Sequence, residues 1–245
     1  MNILITGASR GIGKAIALRA SAEGHTLALV ARSADALHEL ETTIHSNNGN
    51  AKSYVCDITS SEQVASLHQA IVKEFGNIDV IINNAGIAPS LKIEETTDTI
   101  WRETFDTNVS SAFYIVRAFI GELRNSKNAH IINIASTAAS EGFAYTAAYT
   151  ASKHALLGFS RAIAKEFFRY GISVATLCPG FVRTSILDAS IRNITAKTGK
   201  TGEEAEQQLG AMNISGKILE PEEIAIAVMN ALTLSADQNG HEIIL

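Results

Sequence analysis

Short, almost wholly apolar stretches recur along this chain, each followed by a segment with helical spacing, and this alternation constrains the fold more than any other feature. Asn2-Ile3-Leu4-Ile5-Thr6, Thr26-Leu27-Ala28-Leu29-Val30-Ala31, Ile78-Asp79-Val80-Ile81-Ile82, Ile131-Ile132-Asn133-Ile134 and Ile172 to Leu177 leave little room for a wet face. A further strand is predicted over Lys52 to Cys56 and a last one over Gly240 to Leu245. Strands of this kind alternating with helices build a parallel sheet covered on both sides, an α/β fold. Helices are predicted from Lys14 to about Glu23, over 34–47, from Ser61 (a plausible N-cap) to Phe75, over 97–125 and 148–170, and from Pro221 to about Leu234. The last has Pro at its first position and acids in its first turn. Right-handed crossovers then bring every strand-to-helix loop to one sheet edge, where ligands bind at the reversal of strand order.

The loops at that edge carry the chemistry. Thr6-Gly7-Ala8-Ser9-Arg10-Gly11-Ile12-Gly13 joins the first strand to the first helix. Glycines there let the backbone approach a pyrophosphate, whose charge the free N–H groups and the helix dipole favour. The spacing is G-x-x-x-G-x-G, not the G-x-G-x-x-G of the common dinucleotide fingerprint. The second strand ends at Ala31-Arg32. An acid at this place would suit the ribose hydroxyls of NAD, whereas Arg32, with Arg10 nearby, suits the 2′-phosphate of NADP. Asp57-Ile58, Asn83-Asn84-Ala85-Gly86, Ser136 and Pro179-Gly180-Phe181-Val182-Arg183-Thr184 share the same edge.

Tyr149 and Lys153 stand four apart in a run of helix formers, and so share one helix face. A tyrosine with an ordinary pKa of about 10 exchanges protons poorly at neutral pH. A neighbouring ammonium is expected to lower that value toward the range of a general acid or base. The pair alone would equally suit a solvated helix face, so the surrounding loops decide its meaning.

Composition removes other classes. A chain of 245 residues, 46% hydrophobic and 18% charged, suits a single α/β domain over 1–245 with a full core. Its net charge of -5 argues against nucleic acid. No apolar run approaches the ~20 residues of a membrane-spanning helix, and a strand beginning at Asn2 leaves no room for a signal peptide ahead of it. Cys56 and Cys178 form no C-x-x-C pair and no H-x-x-x-H occurs, so no metal site and a reducing, cytoplasmic setting are expected. Residues 185–219 break the strand–helix rhythm, with short helical pieces near Ile186–Ile194 and Glu203–Met212; a lid-like insertion is expected. The helices over 97–125 and 148–170 carry apolar residues over too wide an arc for one core face, including Phe105, Phe113, Phe119, Leu156, Phe159 and Ile163. That width fits burial of a second side against another subunit, or a helix buried deep within a monomer.

In this order and spacing, Thr6-Gly7-x-x-x-Gly11-x-Gly13, Asp57, Asn83-Asn84-Ala85-Gly86, Asn108, Ser136, Tyr149-x-x-x-Lys153 and Pro179-Gly180 through Thr184 resemble the short-chain dehydrogenases/reductases across nearly the whole chain. The resemblance implies a Rossmann-type doubly wound sheet of order 3-2-1-4-5-6-7, the nicotinamide cofactor NADPH/NADP, a small-molecule carbonyl substrate and a homodimer or homotetramer built through the two apolar helices. It implies Tyr149 as proton donor, Lys153 as its modulator and ribose ligand, Ser136 as hydrogen-bond donor to the carbonyl and Asn108 as the holder of a relay water. Gly7, Ser9, Gly11, Ile12 and Gly13 would line the pyrophosphate, Arg10 and Arg32 the 2′-phosphate, and Asp57 and Ile58 the adenine. Asn83, Ala85 and Gly86 would lie on the adenosine side, and Pro179, Gly180, Val182 and Thr184 near the nicotinamide, with Tyr149 and Lys153 bordering it. Substrate walls are expected from Ala88, Pro89, Ala138, Phe143, Tyr145, Phe181, Ile186, Leu187 and Ile191. Bacterial 3-oxoacyl thioester reductases are similar in length and in Pro221-Glu222-Glu223-Ile224-Ala225, although the Gly-Gly-containing tail usual after the last strand does not follow Leu245. Sepiapterin reductase-like members end in a strand like Glu242-Ile243-Ile244-Leu245. A non-catalytic dinucleotide sensor would need the glycine turn but not Ser136, Tyr149 and Lys153 together.

Overall fold

In the computed structural model, which describes residues 1–235 and 239–245, one parallel sheet runs in the order β3-β2-β1-β4-β5-β6-β7 among the described residues. Its strands are β1 (Asn2–Thr6), β2 (Thr26–Ala31), β3 (Asn50–Val55), β4 (Val80–Asn83), β5 (His130–Ile134), β6 (Ser173–Cys178) and β7 (His241–Ile244). This is the Rossmann-type, doubly wound order that the family resemblance implies. β1 is central, pairing with β2 on one side (Leu4 beside Ala28) and β4 on the other (Leu4 beside Ile81). The order reverses there, and the cleft opens at that place.

Because successive strand residues face opposite sides of a sheet, the apolar runs feed two cores. Ile3, Ile5, Leu27 and Leu29 pack beneath α1 (Gly11–Ala22), α2 (Ala34–Ser46) and α9 (Pro221–Ala231). Leu4, Ala28, Val30, Ile81 and Ile131 pack beneath α3 (Ser61–Phe75), α5 (Ser111–Asn125) and α6 (Ala147–Phe167). Both sets are buried, which is why the strands read as continuous apolar runs.

Several boundaries differ from the sequence expectation for local reasons. Ser60, not Ser61, caps α3, its side chain accepting from Gln63 N; Gly76 ends that helix at φ 73. The helix expected over 97–125 is α4 (Asp98–Phe105) and α5 joined by a wide π turn, Asp106–Ser110. Residues 185–219 form α7 (Ser185–Thr198) and α8 (Gly202–Gly210), which close over Leu187, Leu209 and Ile218. This segment is tied down at two points. The Arg183 guanidinium reaches Glu206 (2.7 Å) and Glu220 (2.9 Å). The Asn213 amide accepts from Phe181 N (2.7 Å) and donates to Phe181 O (2.9 Å), and a Cβ at Gly180 would meet Asn213 Oδ1 at 2.1 Å.

Trp101, Phe113 and Phe168 are left exposed, with the Arg117 guanidinium lying over the Phe113 ring. None of the described helices is long and apolar enough to cross a membrane.

Phe119 is the largest fully buried side chain, meeting the His68 ring edge-on at 4.9 Å between centroids. Phe119→Ala should lower unfolding free energy by roughly 3–5 kcal/mol, read from urea denaturation; a loss under about 1 kcal/mol, the scale of an ordinary substitution, would contradict this packing.

Candidate active site

At the carboxyl edge of the sheet lies a cavity of about 1110 Å³, and the loops predicted there line it. The glycine turn forms its floor. Gly7 and Gly11 adopt φ 64 and 52, which side chains rarely tolerate. Arg10 starts α1 without a side-chain cap, and that first turn holds no acid. The N–H groups of the turn are therefore left for an anion. A Cβ at Gly7 would come within 2.9 Å of Ala85 Cα, and one at Gly11 within 3.2 Å of Thr184 Cγ2, so three loops converge closely enough to need bare backbone. A dinucleotide fits these residues: backbone donors meet its pyrophosphate, and Arg10, Arg32, Asp57 and Ile58 line the same cavity toward β2 and β3.

The loop after β4 is bolted to β1. Thr6 Oγ1 accepts from Asn84 N (3.1 Å) and Ala85 N (3.2 Å), while Asn84 Nδ2 donates to Thr6 O (3.0 Å) and Gly7 O (3.2 Å). Asn84 is thus a positioning residue, although the Asn-Asn-Ala-Gly run was expected to act through its neighbours. Two expected cofactor residues are not on the cavity wall. Asn83 is buried and turned into the sheet, its Nδ2 donating to Asn133 Oδ1 at 2.8 Å. Gly13 supports the turn from behind, where a Cβ would meet Gly7 O at 2.2 Å. Ser9, Ile12, Gly86, Pro179, Gly180 and Val182 do line the cavity.

Ser136, Tyr149 and Lys153 line one stretch of the wall. Ser136 follows β5 in extended backbone, where its hydroxyl accepts from Ala138 N (3.2 Å). Lys153 is buried, and its ammonium donates to Ile134 O (2.8 Å). With burial as the cause, its pKa falls to about 8. Its nitrogen stands 5.8 Å from the Tyr149 ring centroid. The expected lowering of the Tyr149 pKa is not what this geometry gives. Part of Tyr149 is open to the cleft, but its phenol lies deep among protein atoms, and burial raises the pKa against an opposing hydrogen bond to Ser136. Desolvation disfavours the phenolate and the ammonium alike, and Lys153 is not among the groups that pull the Tyr149 value down.

Asn108 does not reach the cavity wall. From the π turn its Oδ1 accepts from Ile87 N (2.8 Å), and its Nδ2 donates to Ile87 O (2.9 Å) and Ser152 Oγ (2.9 Å). Both amide hydrogens are thereby engaged. A Cβ at Gly86 would stand 3.3 Å from Asn108 Oδ1 and 3.7 Å from Lys153 Nζ, so glycine keeps the space between them clear. π turns of this kind are frequent at functional sites.

Of the expected substrate walls, Ala88, Ala138, Phe143, Tyr145, Phe181 and Ile186 line the cavity. Pro89 and Ile191 do not, and Leu187 is core. Sequence reasoning missed Ser190, Asn193, Ile194 and Lys197, which fall with Ile186 on one face of α7 at intervals of three and four. Had the helix been extended to its true end at Thr198, that spacing would have exposed the face.

Residues 1–194 match the family model for short chain dehydrogenases. The chain belongs to the short-chain dehydrogenase/reductase family, a family of nicotinamide-dependent oxidoreductases. It is 30% identical over 225 residues to the 3-oxoacyl-[acyl-carrier-protein] reductase of Vibrio cholerae serotype O1, spanning 92% of this chain and 86% of that protein. Among solved structures it is similar to an actinorhodin polyketide ketoreductase with NADPH (TM-score 0.94, 29% identity, 100% of this chain and 95% of that one). A xylitol dehydrogenase bound to NAD+ is also similar (TM-score 0.92, 27% identity, 100% and 96% coverage).

A buried ammonium whose pKa is lower in the folded chain than in the unfolded one destabilises the fold while it is charged. The penalty is complete below about pH 8 and fades as pH rises toward the ordinary lysine value of 10.5. Lys153→Met should therefore raise the melting temperature at pH 7, with a gain that shrinks steadily between pH 8 and 10. A gain independent of pH would contradict the assignment.

Proposed function

We propose that this protein uses NADPH to reduce a ketone or aldehyde to an alcohol, with a 3-oxoacyl thioester as substrate. The observation carrying this reading is that Ser136, Tyr149 and Lys153 border the cavity whose floor is the glycine turn. Bound NADPH would supply the hydride for the carbonyl carbon. The Tyr149 hydroxyl gives its proton to the carbonyl oxygen. Burial suits it to this role, because a phenol with a raised pKa stays protonated until charge develops on the substrate. Ser136 Oγ donates a hydrogen bond to the same oxygen and stabilises that charge. Lys153, charged below about pH 8, holds ribose hydroxyls and favours the tyrosinate as it forms. Asn108, fixed by Ile87 and Ser152, frames the space through which a water returns the proton.

NADPH is preferred over NADH because Arg32 and Arg10 line the cavity, where an NAD-dependent enzyme would place an acid. Asp57 is engaged by Thr59 through its hydroxyl (2.8 Å) and N–H (3.1 Å), leaving it suited to the adenine side. The apolar walls Ala88, Ala138, Phe143 and Phe181, together with the relative from Vibrio cholerae, favour an acyl chain over a pteridine.

Tyr149→Phe should reduce kcat on acetoacetyl thioesters by about 10²–10⁴-fold with the NADPH dissociation constant within a few-fold; retained kcat would remove the tyrosine from the chemistry. NADPH binding with no turnover on thioesters, pteridines, diketones or sterols would instead favour a dinucleotide sensor. A charge-assisted bond to phosphate contributes about 1.5–3 kcal/mol. Arg32→Asp should accordingly shift the NADPH/NADH ratio of kcat/KM toward NADH by about tenfold or more, and an unmoved ratio would exclude Arg32 as the phosphate ligand.

A further inference from the structure

On the reading that this cleft reduces a carbonyl compound, we propose that its outer end is an anion subsite, formed by Lys197 and Lys200, for a substrate with a phosphate on a long flexible arm. The residues of α7 that line the cavity change character along the helix. Ile186 lies at the inner end beside Thr184, Ser190 and Asn193 follow, and Lys197 stands at the outer end with Lys200 just beyond it. At 1.5 Å per residue, Ile186 and Lys197 are about 16 Å apart along the axis. A small neutral ketone cannot touch both ends. An arm of a dozen or so bonds with amides along it can, its carbonyl at the deep end, its amides beside Ser190 and Asn193 and its phosphate at the lysines.

The two lysines are placed for an absent anion. Both are exposed, and neither forms an ion pair among the described residues, although the neighbouring cations do: Arg183 pairs with Glu206 and Glu220, and Lys217 with Glu223. The Lys197 ammonium instead rests 4.9 Å from the Tyr145 ring centroid, and Lys200 Nζ donates to the neutral amide of Gln208 (2.6 Å), which also lines the cavity. Glu204 senses Lys200, but its carboxylate is spent on Thr201 N (2.8 Å) and lies off the cavity wall. Among the described residues the only acid on that wall is Asp57, beside Arg32 on the β2–β3 side. In a chain of net charge -5, an acid-free end with two unneutralised lysines attracts anions. Tyr145 completes this end. Its backbone is held at φ 66, uncommon for a residue other than glycine, with its carbonyl accepting from Leu91 N (2.8 Å), and it sets the ring at the cavity edge beneath Lys197.

The test compares acetoacetyl-4′-phosphopantetheine with acetoacetylpantetheine, the same thioester without the phosphate. In the wild-type protein the ratio of kcat/KM should favour the phosphate-bearing substrate and decline with added salt. K197Q/K200Q should cut that ratio tenfold or more, whereas K197R/K200R should keep it; a ratio unchanged by the glutamine pair would overturn the proposal. A second measurement does not depend on turnover. With excess NADP present to fill the nucleotide site, 4′-phosphopantetheine should bind the wild-type protein in a calorimeter and not K197E/K200E. No binding, or binding that survives charge reversal, would also overturn it. Binding without reduction of any ketone would leave the subsite standing and remove the proposed activity. Coenzyme A and carrier-protein thioesters, run side by side, tell which source of the phosphate arm is preferred.

Discussion

A chain of buried amides and hydroxyls fixes how α6 lies against the sheet, and the site depends on it. Asn83 Nδ2 donates to Asn133 Oδ1, Asn133 Nδ2 to Ser160 Oγ, and Ser160 Oγ to Leu156 O, at 2.8 Å in each case. Apolar contact alone would let a helix roll or slide by a fraction of a turn. Directional bonds among buried groups do not, because any displacement strands a polar atom away from water. Ser160 shares a helix face with Leu156, Lys153 and Tyr149. The same bonds that hold Ser160 to β5 therefore aim the phenol and the ammonium at the cavity. Lys153 repeats the device at the other end through Ile134 O.

Burial sets the electrostatics of that face. It raises the Tyr149 pKa and lowers that of Lys153, so the pair is held where both charged forms are costly. Such a site trades stability for readiness, a common arrangement where function needs groups that packing alone would not choose. Cys178 belongs to the same environment. Its buried thiol lies close enough to be influenced by Ser136 and Lys153, and burial pushes its pKa up.

Much of this was legible in the chain because two-sided burial writes continuous apolar strands, and because glycine, proline and N-cap chemistry act locally. The sheet order was implied by the family resemblance of the loop motifs, and the Ser136–Tyr149–Lys153 wall by the same spacing. What escaped was decided by distant partners. Asn108 was placed only by the family resemblance, as the holder of a relay water, since nothing local says that Ile87 and Ser152 will use its amide group. Asn83 read as a loop residue, but its partner is fifty residues away on β5. An asparagine inside Ile131-Ile132-Asn133-Ile134 was the available hint, because a buried amide in a central strand requires partners. The direction of the Tyr149 shift was misjudged because spacing reveals a neighbour's charge and not the depth of the cleft.

The Asn213 side chain behaves toward Phe181 as one more backbone unit, meeting both its N–H and its C=O, with Gly180 bare so that the amide can seat. It is thus a hinge pin between the end of α8 and the turn after β6. If α7 and α8 were displaced from the sheet, the pin would have to break or carry Gly180 to Val182 along. Through this one amide, the packing of α8 and the position of Val182 on the cavity wall are set together.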